Sequence, residues 1–263
     1  CKGATCASFG DAGHYEQIAG RAFGELDPRD PLNSIIQDIG LGTDADGKVR
    51  YVASFVITKP VDMSRASGLM WHDVPNRGRP VSINSMERGF GDVGLASAWQ
   101  GDNAGMSASL GTTVRANMTV GANHWLKVPV AKNADGSPVT GPVLGRIINR
   151  AGPGAQPLIV QTNPVPYMPA SMDTSQSKLV SRDHESMDGV VTGETQIAAA
   201  DWKFCGGGTF DAPLPLTKLP VEICLKGGFN PAKLYQVVYT AKDPYLLGVG
   251  FAGPAALHNA THD

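Results

Sequence analysis

The chain has 263 residues, enough for one large domain or two modest ones with a well-buried core. Charged residues make up only 17%, and 32 glycines with 19 prolines favour a fold of strands and loops over a helical bundle. The formal net charge of −2 gives no electrostatic case for nucleic acid or an anionic membrane, and no apolar run approaches the ~20 residues that cross a bilayer.

Three strands are predicted in the first hundred residues. Residues 1–34 show little apolar periodicity and are interrupted by Asp-Pro turns. After the Asp46-Gly47 turn signal, Lys48–Thr58 alternates between apolar and polar residues, which predicts a half-buried strand. Shorter apolar runs predict two more strands, Gly68–Val74 and Leu95–Trp99.

The rest of the chain predicts short strands joined by loops. Residues 163–189 are rich in Pro, Ser, Met and Asp and predict a long loop or an insertion. Thr192–Ala200 is compatible with a strand or with one helical turn, and Gly253-Pro254 would disrupt any helix that opens at Tyr245. Strand candidates with clear apolar runs are Thr113–Val120, His124–Val130 and Leu234–Thr240.

The four cysteines form two pairs by sequence, Cys1 with Cys6 and Cys205 with Cys224. There is no Cys-x-x-Cys spacing and no histidine at zinc-finger distance, so two disulfides are the favoured interpretation. They indicate a secreted or periplasmic protein, whereas four reduced, buried cysteines in a cytosolic protein are the alternative. The chain begins at Cys1 without the charged and apolar stretches of a signal peptide, which indicates a processed or trimmed start.

No nucleophile or metal site is predicted. The nearest approach to a Gly-x-Ser-x-Gly elbow is Gly105–Gly111 (GMSASLG), in which the serine offset is wrong and no convincing strand precedes the turn. His258 and His262 share a helical spacing but lack the glutamate of a metalloprotease motif, so a frayed tail is the expectation. We therefore expect no metal and no cofactor.

Two polar loops are the candidate site. Asn76-Arg77-Gly78 follows an apolar strand, where the Arg77 and Gly78 backbone N–H groups could bind a developing oxyanion. Trp99-Gln100-Gly101-Asp102 follows another strand and could line a substrate pocket. The alternatives are an ordinary turn with Arg77 paired to a surface carboxylate, and a buried tryptophan that closes a sheet edge.

Several stretches together resemble the N-terminal portion of a bacterial family of secreted α/β-hydrolase-domain proteins. They appear in family order along nearly the whole chain: Phe9–Glu16 (FGDAGHYE), Gly20–Pro31 (GRAFGELDPRDP), Pro75–Gly78 (PNRG), Trp99–Asp102 (WQGD) and Ile223–Phe251. Members resemble serine esterases that are usually much longer than this chain. The sequence departs from the family pattern after Ala252, before the point where the serine elbow is expected.

The resemblance implies a β-rich α/β fold, with the early strands of an α/β-hydrolase-like sheet and a β-rich insertion. It implies a single N-terminal domain over 1–263, with the insertion at 103–222. The chain would supply scaffold, an oxyanion loop at Arg77 and Gly78, and pocket walls from Asn76, Trp99, Gln100 and Asp102. It also implies that Cys205 and Cys224 are bonded to each other.

A C-terminal part or a second chain would supply the serine that attacks a small ester substrate. A dimer or hetero-association could cover an open sheet face, and neither nucleic acid nor membrane is an expected partner. The alternative function is a stand-alone, non-catalytic β domain that binds a partner or a carbohydrate through exposed aromatic rings. Its candidate residues are the four tryptophans, Trp71, Trp99, Trp125 and Trp202.

Overall fold

The structure is a computed structural model that describes residues 7–78, 81–102, 125–147, 152–158, 166–217 and 221–252. Of these residues, 42% lie in strands and bridges and 16% in helices, which confirms the β-rich character expected from the composition. The chain divides into two compact units, one formed by 1–129 with 246–263 and the other by 130–245. The expected insertion at 103–222 overlaps the second unit, and its assignment to a hydrolase-like domain stays a prediction.

The first unit contains one sheet in which β3 is the central strand. The strand order is β1-β2-β3-β5-β4, and β6 also pairs with β3. All pairs are antiparallel except β4 with β5, which are parallel. The strands are β1 (Ser8–Phe9), β2 (Gly13–Leu26), β3 (Val49–Pro60), β4 (Met70–Asp73), β5 (Val93–Ser97) and β6 (Leu126–Lys127).

The three strands predicted in the first hundred residues are confirmed, at β3, β4 and β5. The long strand β2 was not predicted, because most of its side chains remain exposed and its apolar alternation is weak. Its pairing with β3 depends on a close approach at Gly24. A Cβ atom there would lie 2.0 Å from the ring of Tyr51, the buried residue opposite it. Glycine at this position therefore makes room for the ring. It also leaves β2 without an apolar side chain there, which weakens the alternating pattern in the sequence.

A short helix crosses between the two parallel strands. Helix α1 (Ser85–Phe90) begins with a capping box, in which the Asn84 side chain accepts from the N–H groups of Met86 and Glu87. The Glu87 carboxylate in turn accepts from the Asn84 N–H at 2.6 Å. This reciprocal cap satisfies the first backbone donors and fixes where the crossover becomes helical.

The second unit contains a four-stranded sheet of order β12-β9-β15-β7, a three-stranded sheet of order β13-β14-β8 and the two-stranded ribbon β10-β11. Every pair in it is antiparallel. The strands are β7 (Thr140–Ile147), β8 (Gln156–Pro157), β9 (Lys178–Arg182), β10 (His184–Glu185), β11 (Val191–Thr192), β12 (Thr195–Ile197), β13 (Trp202–Cys205), β14 (Glu222–Leu225) and β15 (Leu234–Lys242).

The core of the second unit forms where alternate residues of β15 meet β13 and β14. Tyr235, Val237 and Tyr239 are buried there with Trp202 and Phe204. The alternation of β15 confirms the strand predicted at Leu234–Thr240. The hydroxyl of Tyr239 donates to the Tyr167 carbonyl at 2.7 Å, so the deepest phenol is satisfied.

The predicted loop at 163–189 is wrong in its second half, where β9 forms an inner strand of the four-stranded sheet. Leu179 and Val180 are its only large apolar residues, too few to show alternation among polar neighbours. The strand exists because β15 and β12 pair with it on both sides. For Thr192–Ala200 the sequence allowed either a strand or a helical turn. The structure has both, strand β12 and the start of a 3-10 helix, Ala199–Asp201.

Short 3-10 helices occupy many of the connections. In the first unit they are Gly10–Ala12, Pro31–Asn33, Ile39–Gly42, Met63–Arg65, Asn76–Gly78 and Leu247–Phe251, and in the second Thr174–Gln176 and Ala199–Asp201. Among the described residues, no helix is long and apolar enough to span a bilayer.

A cluster of ion pairs lies on the four-stranded sheet around Arg182. Its guanidinium donates to Glu194 at 2.9 Å, to Glu185 at 3.0 Å and to Gln236 at 3.1 Å, while only 14% of the side chain is exposed. Arg146 binds the other oxygen of Glu185 at 2.7 Å. The Arg146 and Arg182 hydrogen bonds hold the pKa of Glu185 below its ordinary value, and the Arg182 and Lys178 hydrogen bonds do the same for Glu194.

Glu185→Gln should make the protein less stable at neutral pH and weaken its loss of stability in acid. Because the folded-state pKa of Glu185 lies below the unfolded value of ~4.3, its stabilisation is complete above that pH and is lost as pH falls through the folded-state pKa. The measurement is the free energy of unfolding in urea at several pH values between 7 and 2. The exposed Asp188→Asn is the control, and an equal acid response in both variants would contradict the prediction.

Candidate functional site

Both predicted site loops lie at one edge of the first sheet. Asn76–Gly78 follows β4 and Trp99–Asp102 follows β5, and these two strands are parallel. The carboxyl ends of parallel strands share an edge, which is where α/β proteins commonly bind ligands. The sequence indicates the two loops separately, and the parallel pairing is what brings them together.

An ion pair joins the two loops. The Arg77 guanidinium donates to the Asp102 carboxylate at 2.7 Å, and the two side chains are 32% and 15% exposed. The Arg77 N–H also donates to the Gln100 side-chain oxygen, and Gln100 in turn donates to Asn76 at 3.5 Å. We call the six candidate residues of these two loops the Arg77 cluster: Asn76, Arg77, Gly78, Trp99, Gln100 and Asp102.

The backbone of Arg77 has an uncommon conformation. Its φ of 53° and ψ of 29° are left-handed, which costs a residue with a Cβ about 1–3 kcal/mol. The contacts with Gln100 and Asp102 are the local interactions that hold it there. Both of its polar ends, the N–H and the guanidinium, are thus fixed by the loop after β5.

Trp99 closes the cluster on its apolar side. The indole N–H donates to the Pro75 carbonyl at 3.1 Å, and the ring is 5.8 Å between centroids from that of Phe251, which is 70% exposed. Trp99 is half-buried. Its exposure is therefore intermediate between the two interpretations that the sequence left open, a residue that lines a pocket and a buried tryptophan that closes a sheet edge.

The backbone donors predicted for an oxyanion both have partners within the protein. The Arg77 N–H binds Gln100, and the Gly78 N–H donates to the Pro75 carbonyl at 3.2 Å as part of the turn. The alternative interpretation from the sequence was an ordinary turn in which Arg77 pairs with a carboxylate, and the ion pair with Asp102 agrees with it. The oxyanion role of Arg77 and Gly78 stays a prediction, and it requires these N–H groups to change partners.

Sequence reasoning missed a serine–histidine pair just before the cluster. His72 Nε2 on β4 and Ser97 Oγ on β5 lie 2.8 Å apart, which is the spacing of a nucleophile and its base. However, Ser97 is 0% exposed, so a substrate carbonyl cannot reach its hydroxyl in this conformation. The signal that could have revealed the pair is a polar residue in each of two neighbouring apolar strands, LMWHDV and GLASAW.

The other candidate residues differ in outcome. Cys205 and Cys224 form a disulfide between β13 and β14, with a Cα–Cα distance of 6.0 Å, as predicted. Three-residue groups of His, Cys, Asp or Glu that could hold a metal are absent from the described ranges. Several candidates lie outside the described residues: Cys1, Cys6, Gly105–Gly111, His258 and His262.

Comparison with known proteins gives no relative. The chain matches no family model, no curated protein and no solved structure. The resemblance to α/β-hydrolase-domain proteins therefore stays a prediction, and the case for a function depends on the chemistry of the described residues.

The ion pair of the cluster should be energetically coupled. In a double-mutant cycle of Arg77→Ala and Asp102→Ala, we expect a coupling energy of about 1–2 kcal/mol, because both side chains are largely shielded from water. The measurement is urea unfolding of the four proteins. The exposed pair Lys226 and Asp201, whose side chains are 63% and 42% exposed, is the matched control at about 0.5 kcal/mol. Equal coupling in the two pairs would show that the cluster gains nothing from burial.

Gly250→Ala should distort the cluster through Trp99. A Cβ at Gly250 would lie 1.8 Å from the Trp99 carbonyl oxygen, so a backbone segment must move, at a cost of about 2–3 kcal/mol. The matched control is Gly40→Ala, also in a 3-10 helix of the first unit, where a Cβ meets no atom within 4 Å. Thermal unfolding and the indole NMR signal of Trp99 are the measurements. A signal unchanged in Gly250→Ala would contradict the expectation.

Proposed function

We propose that this chain is the N-terminal part of a secreted serine esterase, in which it supplies scaffold and one wall of the substrate pocket but not the nucleophile. The observation that carries the proposal is the Arg77 cluster at the carboxyl ends of two parallel strands. Polar and aromatic side chains meet there on the loops that follow the two strands, as they do in ligand pockets. The Cys205–Cys224 disulfide is compatible with an oxidising compartment.

One backbone N–H of the Arg77 cluster could donate to an oxyanion if its present acceptor moved away. The Gln100 amide oxygen accepts from the Arg77 N–H, so it occupies the place that a substrate oxygen would take. A side chain can rotate away without any change in the backbone, and a developing oxyanion is the stronger acceptor. The Gly78 N–H is bonded to a backbone carbonyl instead and would need a larger change.

The nucleophile would come from outside the described residues. The reaction would be attack of a serine hydroxyl on the ester carbonyl, loss of the alcohol, and hydrolysis of the acyl-serine by water. Ser97 is bonded to a histidine but is fully buried. A further part of the same protein, or a second chain, would bring an exposed serine to the cluster.

The outer side of strand β2 supports the idea that further chain or a partner completes the first sheet. Strand β1 pairs only with Gly13 and His14, so the remaining length of β2 has no strand on its outer side among those described. An open edge of this kind is a template for pairing with another strand. Further chain or a partner subunit could cover it.

The tryptophans do not favour the alternative of a carbohydrate-binding surface. Trp125 and Trp202 are 7% and 1% exposed, so they contribute to the core. Trp71 is 50% exposed, but its indole N–H is bonded to the Asp92 carboxylate at 2.7 Å. Because two of the four rings are buried, the tryptophans cannot together form the exposed stacking surface that this alternative predicts.

The first test concerns chemistry. Residues 1–263 should not hydrolyse p-nitrophenyl butyrate above the buffer rate and should not be labelled by a fluorophosphonate. Ser97→Ala and His72→Ala should behave in the same way. Turnover that survives purification and disappears in Ser97→Ala would overturn the proposal, as would a label on any serine of the chain.

The second test concerns binding. The probe is 1-phenylpentan-2-one, a ketone in which CH₂ replaces the ester oxygen of phenyl butyrate, followed by the indole NMR signals. We expect the Trp99 signal to move and the buried Trp202 signal to stay. Gln100→Ala should bind about threefold more tightly, because the Arg77 N–H no longer has a competing acceptor. The control is Gln37→Ala, an exposed glutamine elsewhere in the same unit. A Trp99 signal that never moves would refute the pocket wall.

A further inference from the structure

A cavity lies beside the start of β2, and none of its lining residues belongs to the Arg77 cluster. It has a volume of about 290 Å³ and is lined by residues from β1, β2, β3 and α1, among them Phe9, Tyr15, Thr58 and Arg88. This volume is at the lower end of the ~300–1,000 Å³ typical of ligand pockets, so it suits a small molecule. The hydroxyl of the lining residue Tyr15 donates to the carbonyl of Asp92, which directly precedes β5. The cavity is therefore near the amino end of β5, whereas the Arg77 cluster lies at its carboxyl end.

Arg88 gives the cavity a positively charged side chain. Its Nε is buried without a hydrogen-bond partner, and no described carboxylate pairs with the guanidinium. The group lies 5.2 Å above the ring of Phe9, and one terminal nitrogen donates to Ser82 at 3.1 Å. A guanidinium without a carboxylate partner favours an anion that can accept from its terminal nitrogens.

The only carboxylate among the lining residues is already neutralised. Glu16 pairs with Lys59 at 2.7 Å, and the Lys59 hydrogen bond and charge keep the pKa of that carboxyl below its ordinary value. Burial raises the pKa of Tyr15, so this phenol stays uncharged. With Glu16 paired to Lys59, Arg88 is the one charged side chain among the lining residues that no described carboxylate pairs with, although the Asp92 carboxylate behind Tyr15 also acts on that phenol.

The remaining lining combines an apolar wall with a neutral polar end. The rings of Phe9 and Tyr15 meet edge to face, 5.4 Å between centroids. Gln17 donates to the Thr58 hydroxyl at 3.2 Å, and this leaves the Gln17 carbonyl and the Thr58 hydroxyl proton for other partners. Aromatic walls bind an apolar body, while the arginine fork matches a carboxylate.

We propose that this cavity binds a small monocarboxylate with an apolar body, such as an aromatic or short-chain aliphatic acid. The carboxylate would lie against the Arg88 guanidinium and accept from its terminal nitrogens, and the apolar part would lie on Phe9. The site is separate from the Arg77 cluster and does not depend on the proposed esterase function.

Isothermal titration of residues 1–263 with benzoate tests the site, with benzyl alcohol as the neutral analogue and inorganic phosphate as an anion without an apolar body. Benzoate should bind at least tenfold more tightly than either. Arg88→Gln should weaken benzoate binding at least tenfold, whereas Arg29→Gln, which removes an exposed guanidinium from the same unit, should leave it unchanged.

A second variant separates binding from folding. Ala7 lines the cavity and is exposed, so Ala7→Phe fills the space while Arg88 stays in place. It should abolish benzoate binding with little change in unfolding temperature. No benzoate binding at millimolar concentration, equal affinity for benzyl alcohol, or unchanged binding in both Arg88→Gln and Ala7→Phe would each overturn the proposal. Loss of binding at this cavity would leave the esterase tests unaffected, because those report on Trp99 and on turnover.

Discussion

A parallel pair of strands cannot be joined by a tight turn, and this constraint organises the first unit. The chain leaves β4, passes through α1 and returns along β5 in the same direction. Parallel pairing needs a crossover of roughly a dozen residues or more, which the loops around α1 provide. It also fixes that the loops after β4 and β5 end at one edge. The contact of Arg77 with Asp102 follows from this topology, since antiparallel strands would have placed the two loops at opposite edges.

Buried polar groups hold this pair of strands at both ends. Before β5, the Asp92 carboxylate accepts from the Ser67 hydroxyl at 2.6 Å and from the Trp71 indole at 2.7 Å. At the end of β5, Ser97 bonds to His72 on β4. A polar group in a core is stable only with its partner, so a slip in register would leave buried donors and acceptors unsatisfied. These bonds specify one register where the apolar residues alone would allow others.

The sequence predicted strands well where burial follows a regular period. Strand β3 alternates at Val49, Tyr51 and Ala53, and β15 alternates along its length, so both were visible. Strand β2 was not, since its side chains are largely exposed and it depends on β3 for pairing. Strand β9 was hidden because its two apolar residues are buried by neighbours that come much later in the chain.

The candidate site was predictable only in parts. Each loop was recognisable from its polar residues after an apolar strand, but nothing local indicates that β4 and β5 run parallel. The Arg77–Asp102 and His72–Ser97 contacts each span 25 positions, beyond the reach of any local pattern. The Arg88 cavity is harder still to predict, because its walls come from four elements and its essential feature is an arginine that no described carboxylate pairs with.

The position of Ser97 explains why a serine–histidine contact here is structural. A nucleophilic serine needs a sharp turn at the end of a strand, which lifts its hydroxyl out of the sheet towards the substrate. Ser97 is the last residue of β5, paired with Phe55 of β3, but the backbone does not turn sharply there, because Ala98 after it still bonds to the backbone of Ser54. The backbone stays bonded to β3 through Ala98, and the Ser97 hydroxyl remains buried. To act on an ester, Ser97 would have to give up its place in the strand and its buried partner together, and the energy of both interactions opposes that change.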